Sequence, residues 1–219
     1  MKMQRRDVLC AAAALAWISA APAAWADDAP DPFALIVDLN NAVLDEIRRD
    51  PKLHAGDPER LRALVDRLVM PNVDFPMMTR MAVGPKWRTA SEDERRRLEA
   101  GFKNLLIRVY SGALTSVKDE RCELRPTRSR AVREQMVIRT LLKSGARPEP
   151  IGLDYRIYRT KAGEWKIVDV NVEGIWMVEN YRTQFASILG EKGVAGLLEV
   201  FEKRMDEFAA QVKAPAVKS

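Results

Sequence analysis

The chain of 219 residues holds 36 Lys and Arg against 31 Asp and Glu, one His and two Cys, with 47% hydrophobic residues. One His and so few Cys exclude zinc sites built from those ligands. Charges of both signs are interspersed, which gives an ordinary solvated surface and no case for nucleic acid.

The first element is a leader. Lys2, Arg5 and Arg6 precede an apolar run from Val8 to Ala21, and Ala24-Trp25-Ala26 forms a small-x-small cleavage site before Asp27. This pattern predicts a signal peptide over 1–26, too short to span a bilayer. Arg5-Arg6 before Val8-Leu9 resembles a twin-arginine signal, with the general secretory route as the alternative. The mature chain, with 33 basic and 30 acidic residues, is long enough for one domain over 27–208 and a frayed tail over 209–219. It keeps one cysteine, Cys122, and therefore no intramolecular disulfide.

Helices come next. Asp31-Pro32 and Asp57-Pro58 are N-cap and first-turn pairs. Phe33, Ile36, Val37, Val43, Leu44 and Ile47 follow the first at helical spacing; Leu61, Leu64, Val65 and Leu68 follow the second, up to Pro71. A short helix is predicted over 76–83, stopped by Gly84-Pro85. Ser91 to Glu94 is a capping box opening the longest helix, whose stripe runs through Leu98, Phe102, Leu105, Leu106, Val109, Ala113 and Leu114.

From about Glu120 the period changes to two. Val132, Met136, Ile138 and Leu142 alternate with polar residues. A turn at 144–150 leads to Ile151, Leu153, Tyr155 and Ile157, and Lys161-Ala162-Gly163-Glu164 is a hairpin turn before the strand 165–172. A weaker strand lies near 121–127. Glu173-Gly174 then separates strand from helix directly, with apolar residues on both sides of the corner. Two helices close the chain, one with Met177, Val178, Tyr181, Phe185 and Leu189, the other with Val194, Leu197, Leu198, Phe201, Met205 and Phe208. Segregated helices and strands predict an α+β fold with an antiparallel sheet.

Catalytic patterns are missing. His54 is read as a loop residue; no G-x-S-x-G, phosphate loop or dinucleotide fingerprint occurs. Asp74, Asp154 and Asp169 stand beside apolar residues. They are read as an N-cap, an outward strand position and a buried hydrogen-bonded turn.

Two blocks carry a resemblance. In 73–114 it lies in Val73-Asp74-Phe75, Met78, Arg80, Gly84, Trp87-Arg88, Ala90, Arg95, Phe102, Leu105 and Tyr110. In 165–201 it lies in Trp165, Asp169, Val172-Glu173-Gly174, Tyr181-Arg182, Phe185, Lys192-Gly193 and Gly196-Leu197. Together these resemble the MlaC, or toluene-tolerance, family over roughly 31–205. The resemblance implies a twisted antiparallel sheet wrapped by helices in an NTF2-like layout, with a deep apolar cavity. It implies a periplasmic carrier that binds phospholipid and uses no cofactor or catalysis. Such a carrier shuttles lipid between an outer-membrane lipoprotein complex and an inner-membrane ABC transporter with its membrane-anchored subunit, maintaining outer-membrane asymmetry. A hopanoid or other terpenoid cargo is the alternative, and an NTF2-like enzyme using Asp154 or Asp169 as base is another. A third reading is a periplasmic interaction module with a filled core.

On the carrier reading, the lipid-contacting candidates are Phe75, Met78, Phe102, Leu106, Tyr110, Met136, Ile138, Ile151, Leu153, Tyr155, Val170, Ile175, Met177, Val178 and Phe185. Adaptable methionines such as Met77 and Met81 suit such a wall, and Gly174 permits the corner that would carry it round the cavity's end. Arg80 and Arg88, with Tyr110, are the candidates for the head group.

Overall fold

The computed structural model describes residues 31–126, 133–203 and 205–207. The expected leader, Thr127, Val132, Phe208 and the tail lie outside them. No helix among the described residues is long and apolar enough to cross a membrane.

The helices of the first half start where short-range chemistry starts them. In α1 (Pro32–Arg49) the Asp31 carboxylate accepts from the Phe33 N–H at 2.9 Å, and Pro32 fills the first turn. Asp50 and Pro51 repeat the device for a short helix, α2 (Pro51–His54), where a loop is expected from the sequence. His54 closes it, its Nε2 lying 2.7 Å from the Val117 carbonyl. Asp57 caps α3 (Pro58–Leu64). The predicted continuation to Pro71 does not occur. The chain widens into a π turn over Val65–Val69, where the Met70 N–H bonds the Val65 carbonyl, then tightens to a 3-10 turn over Met70–Asn72. Asp74 caps α4 (Phe75–Val83) through the Met77 N–H and also accepts from the Tyr158 hydroxyl at 2.6 Å. The Ser91–Glu94 capping box opens α5 (Glu92–Tyr110). That helix ends at Tyr110, so Ala113 and Leu114 fall in a 3-10 turn (Ser111–Ser116) instead of extending its stripe.

Five strands follow in one antiparallel sheet, each beside its neighbour in sequence: β1 (Arg121–Leu124), β2 (Gln135–Ser144), β3 (Arg147–Arg159), β4 (Trp165–Val172) and β5 (Ile175–Trp176). Asn41 of α1 satisfies the outer edge of β1, bonding both the Cys122 N–H (2.9 Å) and the Cys122 carbonyl (3.1 Å). Cys122 is itself buried. β3 begins earlier than predicted. Ser144 pairs with Arg147 and Leu142 with Ile151, so Pro148, Glu149 and Pro150 oppose Lys143 alone. This bulge is where prolines, lacking an N–H, are tolerated.

The corner at Glu173-Gly174 is a hairpin rather than a direct step from strand to helix. Both residues have positive φ (50° and 90°), as a type I′ turn requires, and Val172 pairs with Ile175. A Gly174→Val substitution should lower stability by roughly 1–2 kcal/mol, the usual cost of a side chain in left-handed backbone, read from urea unfolding.

Helices α6 (Met177–Glu191) and α7 (Gly193–Lys203) then pack back on α4 and α5. The buried apolar residues form three clusters. One lies among α4 to α7 and includes the rings of Phe75, Phe102, Tyr181, Phe185 and Phe201. A second joins Ile36 of α1 to Ile138, Tyr155, Ile157, Trp165 and Ile167 on the sheet. A third gathers Ile47, Leu53, Leu61, Leu64 and Ile107.

Candidate functional site

Where the three clusters meet, the side chains do not close. A cavity of about 380 Å³ remains between α1, the π turn, α4, α5 and the sheet. Each cluster contributes to its border: Phe75 and Met78 from the first, Tyr155 and Ile167 from the second, Leu61 and Ile107 from the third. Among the lining residues only Asn40, Lys103, Tyr110 and Tyr155 carry nitrogen or oxygen in their side chains.

Most of those polar groups are already engaged. The Tyr155 hydroxyl donates to Asn40 Oδ1 at 2.6 Å, and Asn40 Nδ2 donates to the Ile36 carbonyl at 2.7 Å. Lys103 Nζ lies 2.9 Å from Asp66 Oδ1, across from α5 to the π turn. The hydroxyls of Tyr110 and Tyr181 are buried without a well-formed hydrogen bond. Burial pushes the Tyr110 phenol up to about 12, so it remains a neutral donor.

Of the sequence-predicted residues, the structure brings Phe75, Met78, Leu106, Tyr110, Leu153, Tyr155, Val170 and Met177 to this cavity. The others stand elsewhere. Phe102 and Phe185 are fully buried in the aromatic cluster behind the wall, with ring centroids 5.5 Å apart. Ile138 is buried against Ile36, and Met136 packs at the edge of the same cluster, because α1 covers β2 there. Ile151 is buried on β3 beyond the cavity, about 13 Å of strand from Tyr155. Ile175 is 44% exposed on the short β5 strand. Val178 points to the other side of α6, into a second and separate cleft.

Sequence reasoning missed Leu39 and Asn40 on α1, Val65 and Val69 on the π turn, and Lys103 on α5. Leu39 and Val43 are four apart, and Lys103, Leu106 and Tyr110 follow i, i+3, i+7, so both faces were readable in principle. The π turn was not, since it breaks the helical period that would have placed Val65 and Val69.

The second cleft, about 800 Å³ and open to solvent, lies between α4, the 3-10 turn Gly84–Arg88, α6 and the opposite face of the sheet. Arg80 and Arg88 line it, together with Arg156 and Arg182, and it shares no lining residue with the apolar cavity.

Asp169 explains how α6 starts at that cleft. The helix begins after Trp176, which offers no side-chain cap. Asp169 Oδ1 instead accepts from the Val178 and Val170 N–H groups at 3.0 and 2.9 Å, while Arg156 Nη1 holds Oδ2 at 3.1 Å. Burial raises its pKa, against these bonds. Asp154 faces the same side of the sheet, 3.9 Å from Arg139. Neither carboxylate lines the apolar cavity. Asp169→Asn should therefore cost about 2 kcal/mol of stability, through the lost charged hydrogen bonds, and leave cavity occupancy unchanged; chemical denaturation and ligand extraction read the two effects.

Comparisons with known proteins agree with one another. A family model described as MlaC protein matches residues 38–203. The intermembrane phospholipid transport system binding protein MlaC of Haemophilus influenzae is 22% identical over 181 residues, covering 82% of this chain and 83% of its own. The toluene tolerance protein ttg2D of Pseudomonas putida is 22% identical over 185 residues, covering 84% and 82%. A solved structure of a phospholipid-binding protein from Ralstonia solanacearum, in complex with a phospholipid, superposes with a TM-score of 0.73 at 34% identity and covers 83% of this chain and 98% of its own. A family model spanning most of the chain, and a fold shared at that identity, place the chain in the MlaC family.

Proposed function

We propose that this protein is a periplasmic carrier that holds phospholipid acyl chain in the apolar cavity and moves it between the two membranes. The observation that carries the reading is the cavity itself: an apolar void at the junction of three well-packed clusters, in a family whose solved relative from Ralstonia solanacearum was found with a phospholipid. Protein interiors leave few voids larger than a water molecule, so an apolar void of this size is unusual in a filled core. Each methylene sheltered contributes about 0.8 kcal/mol, which supplies the affinity without any head-group chemistry. If a methylene takes about the volume of a liquid water, roughly 30 Å³, the cavity as it stands suits a single chain. A second chain requires its walls to part.

The eight predicted residues at the wall, joined by Leu39, Val43, Val65 and Val69, are proposed to touch lipid. Lys103 and Tyr110 offer the donors for phosphate or ester oxygens. Arg80 and Arg88 open into the other cleft and are not needed for this. The shuttle partners are an inner-membrane ABC transporter with its anchored subunit and an outer-membrane lipoprotein complex, and the role is maintenance of outer-membrane asymmetry. No cofactor or turnover is involved in this reading. The lipid named in the relatives is phospholipid, and nothing favours the hopanoid alternative.

Native mass spectrometry on protein purified without detergent, followed by organic extraction, tests this. A bound mass matching a phospholipid is the expected result. Apo protein throughout would overturn it and leave an interaction module.

A further inference from the structure

The arginine cleft has chemistry that the carrier reading does not use. Over most of the surface, guanidinium groups sit beside carboxylates: Arg67 with Glu46, Arg97 with Glu202, Arg108 with Asp206, Arg121 with Asp45. Arg80, Arg88 and Arg182 have no such partner among the described residues, yet all three line one concavity. Arg182 reaches from α6 across to the turn after α4, where its Nε would lie 3.6 Å from a Cβ placed at Gly84. The fourth guanidinium, Arg156, is fixed in place by Asp169 and by stacking 4.3 Å over the Trp176 ring. Asp169 is 1% exposed and its oxygens are taken, so Glu179 is the one accessible carboxylate among the lining residues. Between the charges lie Met81, Pro85, Trp87, Val178 and Ala186.

We propose that this cleft is the docking site for an acidic segment of a partner polypeptide. A guanidinium fork binds a carboxylate through two parallel hydrogen bonds and resists replacement by lysine. Several forks around an apolar floor fit a segment in which carboxylates flank an apolar side chain. The concavity favours a polypeptide over a membrane surface, since a bilayer face does not enter a recess between two helices. A volume of about 800 Å³ also exceeds what a lone phosphate fills. The site stands apart from the apolar cavity, but α4 and α6 wall both: Met78 and Met177 face the cavity, Met81 and Arg182 the cleft. A docked segment therefore bears directly on the helices around the cavity.

The test is a benzophenone side chain placed at Thr183, on the cleft wall, with photo-crosslinking of the full-length protein in intact cells and mass mapping of the adduct. The expected result is one discrete polypeptide, joined through a segment with at least two carboxylates. The adduct should fall about a hundredfold in the triple variant Arg80→Glu/Arg88→Glu/Arg182→Glu. It should return when the mapped carboxylates are changed to lysine. Native mass spectrometry of the triple variant should show bound lipid as in the parent. An adduct that survives charge reversal, an adduct with lipid alone, or no adduct overturns the proposal. Loss of bound lipid in a folded triple variant also overturns it, because the cleft would then belong to the head group.

Discussion

Leu106→Trp is expected to empty the cavity of lipid while leaving the fold intact. Leu106 is half-buried on the α5 face between Lys103 and Tyr110; it packs against the first cluster on one side and lines the cavity on the other. An indole there enters existing space, so the overpacking strain of a filled core does not arise. The same indole occupies room that acyl chain needs. Excluding four methylenes at about 0.8 kcal/mol each removes roughly 3 kcal/mol, or two orders of magnitude in affinity. Val43→Phe, from the α1 wall, should act in the same direction. Ile175→Trp, at an exposed position, should retain lipid like the parent. Extraction and mass spectrometry of the three variants decide the matter; undiminished lipid in Leu106→Trp would mean that the cargo sits elsewhere.

Phe102→Ala should have the largest effect on stability. Its ring is fully buried and meets three others, with centroids at 5.1 Å (Tyr181), 5.5 Å (Phe185) and 5.6 Å (Phe75). Truncation leaves a cavity that the surrounding helices close only in part, and costs about 3–5 kcal/mol, roughly 10 °C in Tm for a domain of this size. The surviving folded protein should bind lipid nearly as before, since Phe102 stands behind the cavity wall. A stable Phe102→Ala protein that no longer holds lipid would instead make the aromatic cluster part of the binding surface.

The contrast between Phe102 and Leu106 shows what the sequence can and cannot reveal. Both lie on the predicted stripe of α5, four residues apart, and both read as inward apolar positions. One meets aromatic rings and the other meets a void. That difference belongs to what the facing elements lack, which no periodicity records. The caps at Asp31, Asp57, Asp74 and Ser91 were legible because they are made by residues within one turn. The hairpin at Thr160–Glu164 was legible for the same reason, with its Gly163 N–H bonded to the Thr160 carbonyl at 2.9 Å. The cap of α6 was not, since Asp169 supplies it from the preceding strand. Arg80 and Arg88 were visible as cations beside an apolar helix, but which side of α4 they occupy depends on where α6 packs.

The edge contact between Asn41 and Cys122 has a consequence for how the molecule assembles. It joins residues 81 apart, whereas every strand of the sheet pairs with its neighbour in sequence. Local pairings form early, and distant ones wait for the chain between them. The surface on which α1 docks does not exist until β1 and β2 have been made. During vectorial synthesis the first half of the chain therefore emerges with its apolar stripes uncovered. The expected order of events therefore runs backwards along the polypeptide, with the sheet formed first and the N-terminal helix closing over it last.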